Sequence, residues 1–142
     1  MSVQKIVVDT DIILEHLVRH GGPSLLRGIM NEYFCYTTAF NAIEAFSAAR
    51  TQKEIRAVDD AMSTMKVLGL NAKSAKAVGA IFSRAKSPRR GDLPFLIAGV
   101  CTESKLPIVT MNPKRFSGIK ELQVIPIWKL GGSLHNVVAH SR

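Results

Sequence analysis

The segment KIVVDTDIILEHL limits the possible folds more than any other. Val3 to Asp9 is rich in β-branched and apolar residues and shows no polar–apolar alternation. A strand apolar on both faces has to be covered on both faces, which is the condition of a parallel sheet between helices. Helical spacing follows at once from Asp11 to Arg19. Ile12, Leu14, Leu17 and Val18 are apolar there, and Glu15 stands four residues before Arg19. The strand therefore ends on two acids, Asp9 and Asp11, in a chain whose net charge is +8.

The rest of the chain repeats the strand–helix alternation. Gly21, Gly22 and Pro23 stop the first helix. The pattern then predicts a helix over Ser24 to Glu32, a strand over Tyr33 to Thr37, and a helix over Thr38 to Arg50 with Phe40, Ile43 and Phe46 along one side. Gln52 to Leu68 reads as one helix with Ile55, Val58, Met62 and Met65 on a stripe. Asn71 to Lys86 is a further helix, with Ala75, Val78, Phe82 and Ala85 inward. After the loop SPRRGD, a helix runs from Asp92 to about Ser104. Leu106 to Thr110 is a strand, NPKRF a brief helix, and Gln123 to Ile127 a last strand. Residues 1–127 form one domain and 128–142 a tail. Strands separated by helices give a mostly parallel sheet in a three-layer α/β arrangement. Functional groups in such a sheet gather beyond the carboxyl ends of the strands, where Asp9 and Thr110 to Asn112 fall.

Composition narrows the class. With 142 residues, 46% hydrophobic and 21% charged, the chain has enough material for one globular core. Its apolar runs are too short for a membrane span, and the N-terminus lacks a secretory pattern, so a cytoplasmic location is expected. Cys35 and Cys101 sit among apolar neighbours and read as reduced, buried thiols, with a bridge between them as the alternative. His135 and His140 have no partner ligands nearby and belong to the tail. No acid lies between Asp60 and Asp92, where seven cations cluster. Lys105, Lys114, Arg115 and Lys120 occupy a second acid-free stretch. Clustered cations suit a polyanionic partner such as nucleic acid slightly better than the plain alternative, a solvated basic surface.

Four places are chemically unusual: Asp9 with Asp11, Glu44 beside the apolar side of its helix, Asp92 after Arg89 and Arg90, and Asn112. Each has a plain structural reading. Thr10, Asp11, Asp92 and Asn112 are all candidate helix caps, and Glu44 is a candidate ion-pair partner. Together they suggest more. Carboxylates converging at one sheet edge repel one another unless a cation is present. Hard divalent cations take oxygen ligands and support phosphoryl transfer.

At this point VVDTDIILEHL, TTAFNAIEAF and GDLPFLIAGVCTESKLPIVTMNPKRFSGIKELQVI resemble the PIN-domain ribonucleases, and most closely the VapC-type toxins of toxin–antitoxin pairs, over about residues 3 to 127. The resemblance implies a PIN-like three-layer α/β/α fold and metal-dependent endonucleolytic cleavage of RNA with Mg²⁺ or Mn²⁺. Carried over by position, Asp9, Glu44 and Asp92 are the catalytic and metal-holding acids, and Asn112 completes the catalytic set. Thr10, Asp11 and Thr110 support them. Lys86, Arg89, Arg90, Lys114 and Arg115 flank the acids and are expected to grip RNA phosphates. The resemblance also implies a VapB-like antitoxin partner and a homodimer. This sequence departs from the family pattern at Pro94, which stands where many relatives have the third acid; Asp92 is two residues earlier. Asn112 is neutral. These departures keep a second reading open, a non-catalytic PIN-like module that binds RNA or protein. A haloacid-dehalogenase phosphatase fits less well, because GDL precedes VTM here, the reverse of that class.

Overall fold

The structure is a computed structural model and describes residues 4–19, 21–85 and 92–130. The expected tail residues His135 and His140, and the rim residues Lys86, Arg89 and Arg90, lie outside that set. The chain opens with strand β1 (Gln4–Val8), then helices α1 (Thr10–Val18) and α2 (Leu25–Met30). Strand β2 (Tyr33–Thr38) leads into α3 (Ala39–Ala48) and α4 (Gln52–Ser63). Strand β3 (Lys66–Leu68) and helices α5 (Ala72–Arg84) and α6 (Leu93–Glu103) follow. Strand β4 (Ile108–Thr110), a 3-10 turn at Pro113–Phe116, strand β5 (Val124–Pro126) and a second 3-10 turn at Ile127–Lys129 complete the described chain.

The strands form one sheet in the order β3-β2-β1-β4-β5, with every pairing parallel. Strand β1 is central, with Val7 beside Tyr36 of β2 and Ile108 of β4. Its apolar run is buried on both faces. Ile6 and Val8 join Ile12, Ile13, Leu25, Leu26 and Ile29 in one core, whereas Val7 joins Ile81, Phe95, Ile97 and Ala98 in the other. The chain builds β2 and β3 on one side of β1, then returns to place β4 and β5 on the other. The carboxyl end of β1 is thus the point where the connections diverge, the natural crevice of an open parallel sheet. No helix among the described residues is long and apolar enough to cross a membrane.

Two expectations are corrected. The helix expected over Gln52 to Leu68 ends at Ser63, and Lys66–Leu68 pairs instead with Tyr36, Thr37 and Thr38 at the sheet edge. The Thr64 hydroxyl donates to the Ala61 carbonyl at 2.6 Å, satisfying a carbonyl of the last turn, while Met65 still reaches the core. Helix α3 is also rotated from the expected facing. Ile43 is 56% exposed, while Asn41 and Ala45 point inward. Burying Asn41 is worthwhile because its amide holds the end of β1, as described below.

Helices α5 and α6 approach closely at Gly99. A Cβ placed there would lie 2.1 Å from Cγ2 and 2.9 Å from Cα of Val78. The two cysteines are buried and free; burial pushes the Cys35 thiol up to about 12 and raises that of Cys101 as well, so both are protonated, unreactive core groups.

Candidate acidic site

Asp9 directly follows β1 and is fully buried. It caps α1, its Oδ1 accepting from the Thr10 N–H at 2.8 Å, so the cap is Asp9 rather than Thr10 or Asp11. A second donor reaches the same oxygen, the Asn41 amide at 3.0 Å. Asn41 is fixed by a capping box at the start of α3. Its Oδ1 accepts from the Thr38 N–H at 3.2 Å and the Thr38 hydroxyl at 2.7 Å, while its own N–H donates to Thr38 Oγ1 at 3.1 Å. With Oδ1 committed in this way, Nδ2 faces Asp9 and the Thr10 hydroxyl, 2.9 Å away. That hydroxyl donates in turn to Glu44 Oε1 at 2.5 Å. A continuous chain therefore links the ends of β1 and β2 to an acid one turn along α3.

On the other side, Thr110 ends β4. Its hydroxyl lies 2.8 Å from Asp9 Oδ2 and 3.1 Å from Asp11 Oδ2. A hydroxyl carries one proton, so it serves only one of these carboxylates at a time. Asp11 Oδ2 also accepts from the Met111 N–H at 3.0 Å, but Asp11 Oδ1 is buried without a hydrogen-bond partner. The electrostatic consequences are direct. Burial raises the Asp9 pKa, opposed chiefly by the Arg115 charge. Burial, followed by the charge of Asp9, pushes Asp11 up to about 6.

Asp11 gives a signed prediction. Its pKa is raised on folding from 3.8, so the native state holds a proton that the unfolded chain has lost between about pH 4 and 6. Stability of the metal-free protein therefore falls as pH rises through that window, by an amount on the order of 3 kcal/mol. Thermal melts from pH 4.5 to 7 are expected to show a falling Tm. Asp11→Asn, which keeps an acceptor for Met111, is expected to flatten that slope and to raise Tm at pH 7. An unchanged slope in the variant would assign the effect to other groups.

Among the described residues, the cation facing these acids is Arg115. Its Nη2 donates to Glu44 Oε1 at 2.6 Å, and its Nε stands 4.0 Å from Asp9 Oδ2. Arg115, expected to flank the acids and grip phosphates, contacts the acids directly. Lys114 is exposed and lines a cleft of about 370 Å³ with Asp92, Pro94, Phe95, Asn112 and Arg115. Asp92 and Asn112 occupy N-cap positions, but neither side chain makes a capping bond. Both face the cleft and are exposed. The structure thus gathers Asp9, Thr10, Asp11, Glu44, Thr110 and Arg115 into one network, with Asp92, Asn112 and Lys114 on the cleft that Arg115 also lines.

Asn41 and Thr38 are the members of this network that the sequence reading missed. The spacing Thr38-x-x-Asn41 before an apolar helix is a capping-box signal and would have pointed to the pair.

Solved structures similar to the chain include the following three. A chain of the DNA-bound VapBC structure from Salmonella typhimurium is 19% identical, with a TM-score of 0.72 over 87% of this chain and 98% of that one. A chain of VapBC-1 from nontypeable Haemophilus influenzae is 20% identical, with a TM-score of 0.69 over 89% and 100%. A chain of FitAcB from Neisseria gonorrhoeae is 16% identical, with a TM-score of 0.64 over 88% and 99%. The chain has the PIN fold. The expected fold class therefore holds, with a sheet that is wholly parallel among the described strands. No family description and no curated protein matches the sequence of this PIN-fold chain.

The donor chemistry of the pocket fits a hard divalent cation: it is all oxygen, mostly carboxylate, and one buried carboxylate oxygen of Asp11 lacks a partner. In the described arrangement, however, Arg115 supplies the positive charge. No three acid, His or Cys side chains among the described residues are placed to hold a metal together.

Proposed function

We propose that the chain is a metal-dependent endoribonuclease, the toxin of a VapBC-type toxin–antitoxin pair. The observation that carries this reading is Asp9, a fully buried carboxylate at the carboxyl end of the central strand, tied to Asp11 and Glu44 beside a cleft. The likeness of the fold to VapBC structures supports it. Asp9, Glu44 and Asp92 would hold Mg²⁺ or Mn²⁺, with Asn112 beside them. When bound, such an ion activates water and stabilises charge on a phosphoryl group.

The chain's own residues do the rest. Thr10 and Asn41 aim Glu44 and Asp9. Thr110 sets the spacing of Asp9 and Asp11. Lys114 and Arg115, with Lys86, Arg89 and Arg90, would bind backbone phosphates and position the scissile bond. A VapB-like antitoxin, a homodimer and a cytoplasmic location complete the proposal.

A second reading has its own support. The Arg115–Glu44 pair offsets part of the acidic charge with a cation of the chain's own, and Asn112 is uncharged, as in a PIN-fold module that binds RNA or protein without cutting. Incubating structured RNAs with Mn²⁺, with and without EDTA, separates the two. The nuclease reading expects cleavage that EDTA abolishes and that Asp92→Asn lowers by roughly tenfold to a hundredfold. Cleavage surviving in EDTA, or no cleavage of any RNA by the folded wild type, would leave the binding module as the better account.

A further inference from the structure

We propose that Arg115 is a tethered counter-ion that occupies the Asp9–Glu44 side of the pocket and competes with a divalent cation for it, so that metal enters only when the guanidinium leaves. This inference rests on the metal-holding role proposed above for Asp9 and Glu44.

The geometry distinguishes Arg115 from the other cations among the described residues. One end of its guanidinium is held, by the 2.6 Å bond from Nη2 to Glu44 Oε1. The other end is not. Nε is buried, 4.0 Å from Asp9 Oδ2, and has no hydrogen-bond partner among the described residues. A guanidinium matched to its site makes parallel, two-point contacts with a carboxylate. Here it bridges two different carboxylates and satisfies them unevenly. That is a contact which neutralises charge and is poorly locked.

The backbone beneath it supports the same conclusion. Arg115 sits on the short 3-10 turn Pro113–Phe116, anchored by the buried ring of Phe116. Its guanidinium carbon lies 5.5 Å from that ring's centroid. The anchor fixes the Cα, and the single bond from Nη2 to Glu44 is the hydrogen bond that holds the far end of the side chain. Arg115 also lines the cleft with Asp92 and Lys114, so a phosphate entering there meets the same guanidinium. A phosphate offers the two-point acceptor that Asp9 and Glu44 do not. RNA binding would then draw Arg115 outward and expose the acid oxygens it covers. Substrate and metal would favour one another's binding, a coupling that is reciprocal by linkage.

The test is metal binding without turnover. Mn²⁺ is titrated calorimetrically into wild type, Arg115→Gln and Lys114→Ala, each first shown to be folded by circular dichroism. Arg115→Gln is expected to bind Mn²⁺ about tenfold tighter than wild type or more. Lys114→Ala removes a neighbouring charge without touching Glu44, and should change the affinity less than about threefold. Arg115→Met, which retains the aliphatic volume, gives the same readout should glutamine unsettle the turn. Equal affinity in wild type and the Arg115 variants overturns the tethered counter-ion and leaves the metal site standing. An equal gain in Lys114→Ala also overturns it, by reducing the effect to general charge. No Mn²⁺ binding in wild type or either Arg115 variant overturns both the inference and the metal-dependent reading.

Discussion

Replacing Asp9 with Asn is expected to lower RNA cleavage by roughly a thousandfold or more while leaving the protein folded. The two halves of that expectation have separate causes. Chemistry is lost because the proposed first metal-holding carboxylate becomes a neutral amide. Folding survives because the amide keeps the same shape and most of the same bonds. Its oxygen still accepts from the Thr10 N–H and the Asn41 amide, and its new NH₂ faces the Thr110 hydroxyl, which accepts and turns its own proton to Asp11. Burial raises the Asp9 pKa, so removing this charge also relieves a desolvation cost, and Tm at pH 7 should not fall. Cleavage rates and thermal melts on the same preparation check both halves. Undiminished cleavage in the folded variant would remove Asp9 from the mechanism.

The largest purely structural effect is expected at Gly99. Alanine there forces a methyl group to within 2.1 Å of Val78 Cγ2 and 2.9 Å of its Cα. A rotamer change moves Cγ2 away but leaves the backbone contact, so α5 and α6 must separate. Overpacking of this kind costs about 2–4 kcal/mol. Chemical denaturation of Gly99→Ala should show a lower midpoint with a similar slope. Activity should fall with it, because α6 carries Asp92 at its start. A midpoint equal to that of wild type would mean that the helix pair yields more easily than its contacts suggest.

The central strand and the neighbourhood of its acids were legible because they depend on short-range pattern. A short, β-branched apolar run reads as a strand covered on both faces, and Ile6, Val7 and Val8 are indeed divided between the two cores. Strand β3 was not legible. Its three residues carry no alternation to read, and they follow Met62 and Met65, whose helical spacing extends the apparent helix over them. Only the ladder to β2 makes them a strand, and that ladder is a long-range fact. The facing of α3 failed for a related reason. Hydrophobicity put Ile43 inward, whereas the bonds of Asn41 to Asp9 and Thr10 turn a polar side chain into the core and leave Ile43 outside. Arg115 shows the limit most clearly. Composition marks it as one more cation on a basic stretch, and no local rule says whether an arginine points to solvent or to a carboxylate 71 residues earlier.

The bond from Thr110 to Asp9 spans 101 positions, and Arg115 comes later still. During synthesis, then, Asp9, Asp11 and Glu44 leave the ribosome long before the strand and turn that complete their pocket. Until β4 emerges, Asp9 has no Thr110 beneath it and Glu44 has no arginine. On the nuclease reading proposed above, the half-made chain would have no finished centre with which to cut the RNA around it, and Arg115 would reach that centre as part of the same chain. A proposed nuclease made among ribosomes and messengers would gain from that order of synthesis: neighbouring late segments bring both the final support of the site and its counter-ion.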